Sequence, residues 1–174
     1  MTYLPFMTNM TYMTNKKSFT KTVLLTALLA GTLDIVSAFL SHYFRTGEFA
    51  TKMFQYIAGG ALGLKTSLAG GAGVIALGVF FHYFISFLFT LFYFLIYTQA
   101  RLASVNKYVA GLVYGIFVWA VMNLVVLPVS MLPSAPIKWP GFLIGMGILM
   151  VMIGLPVAIR AHNYYRKQAG ITVS

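Results

Sequence analysis

The stretch GTLDIVSAFL, residues 31–40, lies inside an apolar run that extends from Val23 to Phe44. A helix needs about 20 apolar residues to cross the hydrocarbon core of a bilayer, and this run is long enough. Asp34, the only aspartate of the chain, lies near its middle. The stretch therefore predicts a membrane-spanning helix that carries a carboxyl group inside the bilayer.

The composition of the whole chain agrees with a membrane protein. Of the 174 residues, 60% are hydrophobic and 8% are charged, and the mean hydropathy is +0.86. Soluble domains carry about 25% charged residues, so this chain has too little polar surface to cover a water-soluble globule. The net charge of +10 does not predict nucleic-acid binding, because the cations flank apolar runs and form no stripe. These cations predict contact with the headgroups of membrane lipids.

Three further apolar runs are long enough to span a bilayer. The four predicted spans cover approximately Lys21–Phe44, Ala72–Tyr97, Tyr108–Leu132 and Trp139–Tyr164. The runs are continuous and do not alternate with period two, which disfavours a β-barrel. The predicted fold class is an all-α membrane protein, a four-helix up-down transmembrane bundle.

The distribution of lysine and arginine predicts the orientation of this bundle. With four spans, the side that holds both termini carries eight of these cations, and the other side carries four. Because cytoplasmic loops carry the excess of cations, both termini are expected in the cytoplasm. The predicted organisation is a polar, disordered cytoplasmic tail over residues 1–19, a single four-span domain over 20–166, and a short cytoplasmic tail over 167–174. The expected location is a bacterial inner membrane.

The loop between the first two spans has its own pattern. Phe49, Met53, Tyr56 and Ile57 recur at helical spacing, with Lys52 and Gln55 on other faces. This pattern predicts a short amphipathic helix that lies on the outer membrane surface. Glycines follow it in two similar segments, AGGALGL and AGGAGVI, so a re-entrant hairpin stays an alternative.

Polar residues of three spans are expected at one depth. Asp34 and His82 each lie ten residues from the outer end of their spans, which is about 15 Å at the helical rise of 1.5 Å per residue. Asn123 lies at nearly the same depth. Ser37 continues the face of Asp34, and Ser86 continues the face of His82. These five residues form the predicted intramembrane polar cluster, in which Asp34 is expected to pair with His82 or Asn123.

Two functions are open for this cluster. The first is a non-catalytic accessory, assembly or structural membrane component, in which these residues fix the register of the helices, and this is the function that the sequence predicts. The alternative is a small oligomeric permeation or proton-responsive module that uses Asp34, His82 and Asn123, because ionisable residues inside a membrane often mark pathways. Either function implies membrane lipids as partners, and a homo-oligomer or a larger membrane complex is expected.

Enzymatic and cofactor chemistry have little support. The chain has one aspartate and one glutamate, Glu48, so no pair of carboxylates is available for acid–base catalysis, and it has no cysteine. The segment GGALGLKTS lacks the glycine that a phosphate-binding loop requires before its lysine. The three histidines lie at different depths, which disfavours a bis-histidine haem. We therefore expect a protein that is not an enzyme and holds no cofactor or metal.

Four segments carry a resemblance to known proteins. AGTLDIVSAFL, IAGGALG, HYFISFLFTLFY and VMNLVVLP, in this order, resemble a group of small uncharacterised bacterial four-span membrane proteins. More distantly, the pattern is similar to the YagU-type inner-membrane family. The resemblance covers roughly residues 22–135, and it implies four spans and a bacterial inner membrane without implying an activity.

Overall fold

The computed structural model describes residues 5–133 and 139–170, with side chains from Ser18 onward. Every regular element within these ranges is helical. The helices are α1 (Pro5–Thr46), α2 (Met53–Leu62), α3 (Leu64–Ala69), α4 (Ala72–Ile96), α5 (Lys107–Val129) and α6 (Trp139–Gln168), with a short 3₁₀ turn at Leu102–Ser104.

Four of these helices are long and apolar enough to cross a membrane. They are Ser18–Thr46 within α1, and the whole of α4, α5 and α6. Large apolar side chains on their outer faces are exposed, among them Leu28, Phe80 and Leu124. An all-helical membrane protein with four candidate spans is therefore confirmed, because the helices have the length and the exposed apolar surface that a bilayer requires.

The N-terminal tail remains a prediction. The helical backbone of α1 extends back to Pro5, but no side-chain contact is described before Ser18. The disordered tail expected over residues 1–19 therefore stays a prediction. Residues 171–174, within the predicted C-terminal tail, lie outside the described part.

Small residues allow α1 and α4 to approach closely. A methyl group built on Gly31 would lie 3.1 Å from the hydroxyl oxygen of Ser86 and 3.1 Å from the ring of Tyr83. Ala27 and Ala30 are buried on the same face of α1. Such close backbone approach is how transmembrane helices gain packing energy without a hydrophobic driving force.

The glycines of α5 pack against the backbone of α6. A methyl group built on Gly111 would lie 2.9 Å from the carbonyl oxygen of Gly154, and one on Gly115 would overlap the backbone of Met150. Gly141 and Gly145 have the same spacing, but Gly145 makes no such close contact, because a methyl group built there meets nothing within 4 Å.

Helices α2 and α3 form a compact pair between the first two spans. Gly63, with a φ of 78°, makes the turn between them. The side-chain amide of Gln55 is buried and donates a 2.6 Å hydrogen bond to the carbonyl oxygen of Gly70. The backbone of Phe54 packs directly on Gly78 of α4. Thus α2 is fixed to a membrane span, and Gln55 faces inward rather than outward.

Two parts of the predicted loop helix need correction. Phe49 precedes the helix, which begins at Met53, and its side chain is 76% exposed. Met53 and Ile57 face the interior of the bundle, whereas Tyr56 is exposed. The apolar positions therefore do not share one face. Their separation reflects tertiary packing, because the contact with Gly78 sets which side of α2 is buried.

Pro128 in α5 and Pro156 in α6 each follow a π-helical turn. In α5 the turn is Met122–Val126, and in α6 it is Met150–Gly154. The amide of the residue before each of these prolines, Leu127 or Leu155, donates to a carbonyl five residues back. The helix therefore widens locally before each of these two prolines.

The bundle is filled unevenly along its length. An aromatic and aliphatic core occupies the end of the bundle where α4 terminates, and it includes Tyr93, Phe94, Tyr97, Tyr114 and Val157. Tyr97 and Tyr165 stack there with ring centroids 4.5 Å apart. Toward the end that carries α2, the same helices diverge around a cavity. The interior is thus solid at one end and hollow at the other.

Candidate functional site

A cavity of about 410 Å³ lies between α1, α2, α4, α5 and α6. Its size is within the range of small-molecule sites in proteins, roughly 300–1,000 Å³. Fourteen of its twenty lining residues are apolar, and two are glycines. The four polar residues on its wall are Asp34, His82, Ser86 and Asn123. The structure thus brings together four of the five residues of the predicted polar cluster.

The fifth residue, Ser37, does not line the cavity. It is half-buried, one turn beyond Asp34 on α1. The cavity wall on this helix is instead made by Asp34, Ile35 and Ala38. A spacing of three residues keeps two side chains on neighbouring faces of a helix, but it does not direct both toward the same cavity.

His82 and Ser86 connect α4 to the backbone of α1. The His82 Nε2 atom lies 2.8 Å from the carbonyl oxygen of Gly31, and the Ser86 hydroxyl donates a 3.0 Å bond to that of Ala27. Because a carbonyl oxygen only accepts, Nε2 of His82 carries a proton. The two bonds lie one turn apart on both helices, so they fix the register of α1 against α4.

Asn123 is positioned by its own helix. Its side-chain amide nitrogen donates a 2.8 Å hydrogen bond to the carbonyl oxygen of Trp119, one turn earlier. The residue lies within the π-turn of α5, where the helix is widened. One of the two amide hydrogens is therefore engaged, and the second amide hydrogen and the side-chain oxygen of Asn123 have no described partner at the cavity wall.

Asp34 differs from these three residues. Among the residues that the structure describes, no hydrogen bond or ion pair joins its carboxylate to another group, although it lies within Coulombic range of His82. The pairing expected with His82 or Asn123 is therefore not formed among the described residues; Nε2 of His82 and one amide hydrogen of Asn123 are engaged by backbone carbonyl groups instead. Asp34 is half-buried on the wall of the cavity without a protein hydrogen-bond donor.

Aromatic side chains complete the wall, and the sequence did not single them out. Trp119 and Phe142 pack edge to face with ring centroids 4.1 Å apart, and Phe89 lies beneath Ser86 on α4. The Tyr114 hydroxyl donates a 2.6 Å bond to the carbonyl oxygen of Phe89, between core and cavity. Both π-turns contribute to the wall, through Met122 and Asn123 of α5 and Ile153 of α6.

Other polar groups lie away from the cavity wall. The guanidinium group of Arg45 lies against Gly141, which lines the cavity, but Arg45 itself is exposed. His162 is hydrogen-bonded to the Tyr97 hydroxyl at 3.0 Å in the opposite half of the bundle. Within residues 5–133 and 139–170, no three acidic or histidine side chains are close enough to hold a metal ion.

Comparison with known proteins finds no relative: no protein family, no curated protein and no solved structure matches the chain. The resemblance to YagU-type proteins remains an expectation. The class of this protein is therefore defined by its own fold, a helical membrane protein with four candidate spans around a partly polar cavity.

Proposed function

We propose that this protein binds a small ligand in the cavity between its spans and belongs to the permeation or sensing class of membrane proteins. One observation carries the proposal: Asp34 contributes a carboxylate to the cavity wall without a hydrogen-bond partner among the described residues. An unpaired ionisable group in a span costs about 2.5–3.5 kcal/mol on insertion scales, which a purely structural role does not offset. A ligand that pairs with Asp34 offsets this cost.

A second function has its own support. The hydrogen bonds from His82 and Ser86 to the backbone of α1 hold α1 and α4 in register, as expected for an accessory or assembly protein, and this pair of bonds is called the clamp below. The two roles fall on different residues, however, since Asp34 takes no part in the clamp. Purification from membranes separates the candidates: an assembly protein retains a stoichiometric protein partner, and a ligand-binding protein retains a small molecule.

Gly145 offers a direct test of the cavity. It lines the cavity, and a methyl group built on its Cα meets nothing within 4 Å. Gly145→Leu is therefore expected to reduce the free volume of the cavity with little disturbance of helix packing. Gly147→Leu is the matched control, because Gly147 also has open space around its Cα but does not line the cavity.

The experiment compares small molecules that the purified variants retain. Wild type, Gly145→Leu and Gly147→Leu are incubated with a metabolite extract of the expressing cells, and native mass spectrometry measures the bound mass. The wild type and Gly147→Leu are expected to carry a ligand that Gly145→Leu lacks, at equal thermal stability. Identical spectra for all three proteins would refute the proposal.

The orientation of the chain is part of the proposal. We infer an up-down bundle in a bacterial inner membrane, with both termini cytoplasmic and α2 at the outer surface. The excess of lysine and arginine on the terminal side supports it. Reporter fusions at Ser174 and Lys65 test it. Activity of an export-dependent reporter is expected at Lys65 alone, and activity at Ser174 would reverse the orientation.

A further inference from the structure

The hydrogen-bonding groups that remain free on the cavity wall are mostly acceptors. Nε2–H of His82, the hydroxyl of Ser86 and one amide hydrogen of Asn123 are engaged by carbonyl oxygens of α1 or α5. The free acceptors are the carboxylate of Asp34, the side-chain oxygen of Asn123 and, in neutral His82, the Nδ1 atom. The free donors among the described groups are the second amide hydrogen of Asn123 and the indole N–H of Trp119. A ligand that satisfies this wall therefore brings donors, and positive charge opposite Asp34.

The rest of the wall selects an apolar body. Fourteen apolar side chains surround the cavity, and Phe89, Trp119 and Phe142 present aromatic rings. Cations are attracted to the faces of such rings, most strongly where water is excluded. The volume of about 410 Å³ corresponds to about 14 water molecules at ~30 Å³ each, which is room for a compact organic molecule.

We propose that the ligand is a protonated organic amine with a compact apolar body, and that its ammonium group donates hydrogen bonds to the carboxylate of Asp34. This inference rests on the proposed function and specifies the ligand class of that site. The apolar body packs among the aromatic rings, and the side-chain oxygen of Asn123 accepts a further hydrogen bond. Asp34 is then the residue that sets selectivity for charge.

Two other ligand classes fit the wall less well. A bare divalent cation such as Ca²⁺ takes six to eight oxygen ligands, and the side chains of this wall supply oxygen atoms at Asp34, Ser86 and Asn123. An anion in the cavity would be repelled by the Asp34 carboxylate. Arg45 could attract an anion, but it is beside Gly141 and does not line the cavity.

A matched pair of probes tests the inference. 1-Aminoadamantane is protonated at neutral pH, and 1-adamantanol has the same shape without the charge. Dissociation constants of both are measured by ligand-observed NMR in lipid nanodiscs that contain wild type, Asp34→Asn or Ser37→Ala, with empty nanodiscs to subtract partition into lipid. Ser37→Ala is the control on the same helix, away from the cavity wall.

The wild type is expected to bind the amine at least about tenfold more tightly than the alcohol, since hydrogen bonds to a charged group contribute about 1.5–3 kcal/mol. Ser37→Ala is expected to keep this ratio. Asp34→Asn is expected to reduce it to within about twofold, because only the affinity for the amine falls.

The inference is overturned if both probes bind wild type equally, or if the ratio is unchanged in Asp34→Asn. In either case the proposed function, a cavity that binds a small ligand, still stands. If neither probe binds nanodiscs with wild type more than empty nanodiscs, both the proposed function and the inference about the ligand class fail. Sodium chloride is added as a third probe, and competition by sodium ions with the amine would indicate an inorganic cation site instead.

Discussion

Replacement of Asp34 by leucine is expected to stabilise the protein. The carboxylate makes no hydrogen bond to the described residues, so its removal breaks none. The substitution removes an ionisable group from the bilayer, and insertion scales put the cost of a charged side chain at the centre of a span at about 2.5–3.5 kcal/mol. Because Asp34 is half-buried beside a cavity that admits a larger side chain, we expect a gain between zero and about 3 kcal/mol. Asp34→Asn should fall between wild type and Asp34→Leu.

Unfolding in mixed detergent micelles, titrated with a denaturing detergent, measures this gain as a shift of the midpoint. Ser86→Ala is the contrasting variant, because it removes the bond to Ala27 and should lose about 0.6 kcal/mol on average and at most about 1.7 kcal/mol. Val36→Leu, on the exposed face of α1, controls for a change of apolar volume. If Asp34→Leu destabilises the protein as much as Ser86→Ala does, then Asp34 belongs to the clamp and the proposed function loses its main support.

Three other predictions concern packing. Gly115→Ala should destabilise the protein by about 1–3 kcal/mol, since its methyl group overlaps the backbone of Met150, whereas Gly147→Ala should be neutral; the same unfolding titration compares them. Gln55→Ala should increase hydrogen exchange of the α3 amides, because the link to Gly70 is lost, and unchanged exchange would show that Gln55 does not hold the α2–α3 pair. His82→Leu should weaken the contact of α1 with α4 as Ser86→Ala does, and a midpoint equal to that of wild type would argue against the clamp.

Hydropathy predicted the four spans because a span is defined by local composition over about 20 residues. The same reasoning placed Asp34, His82 and Asn123 at one depth and Ser86 one turn from His82, since depth follows from counting residues along straight helices. Counting does not give rotation about the helix axis. Ser37 was therefore included wrongly on the cavity wall, and the partners of His82 and Asn123 proved to be backbone carbonyls rather than Asp34.

The contribution of α2 to the cavity could not be predicted from its own residues. The spacing of Phe49, Met53 and Tyr56 predicts one apolar face, but the close contact of Phe54 with Gly78 rotates Met53 and Ile57 toward the interior. That contact joins residues of two different helices, and neither segment alone records it. The cavity has the same origin, because it is the space left where five helices fail to meet.

The two π-turns explain why the helices fail to meet at this level. Each turn inserts one residue into the helical repeat immediately before a proline, so that the helix widens and its packing face is displaced. In α6 the widened segment packs against the glycines of α5, and the backbone of Gly111 contacts that of Gly154. The turn in α5 has no such packing: Met122 and Asn123 border the cavity, and the Cα of Gly145 opposite carries no side chain. The turn of α6 thus packs against the glycines of α5 and contributes Ile153 to the cavity wall, whereas the turn of α5 borders the cavity through Met122 and Asn123.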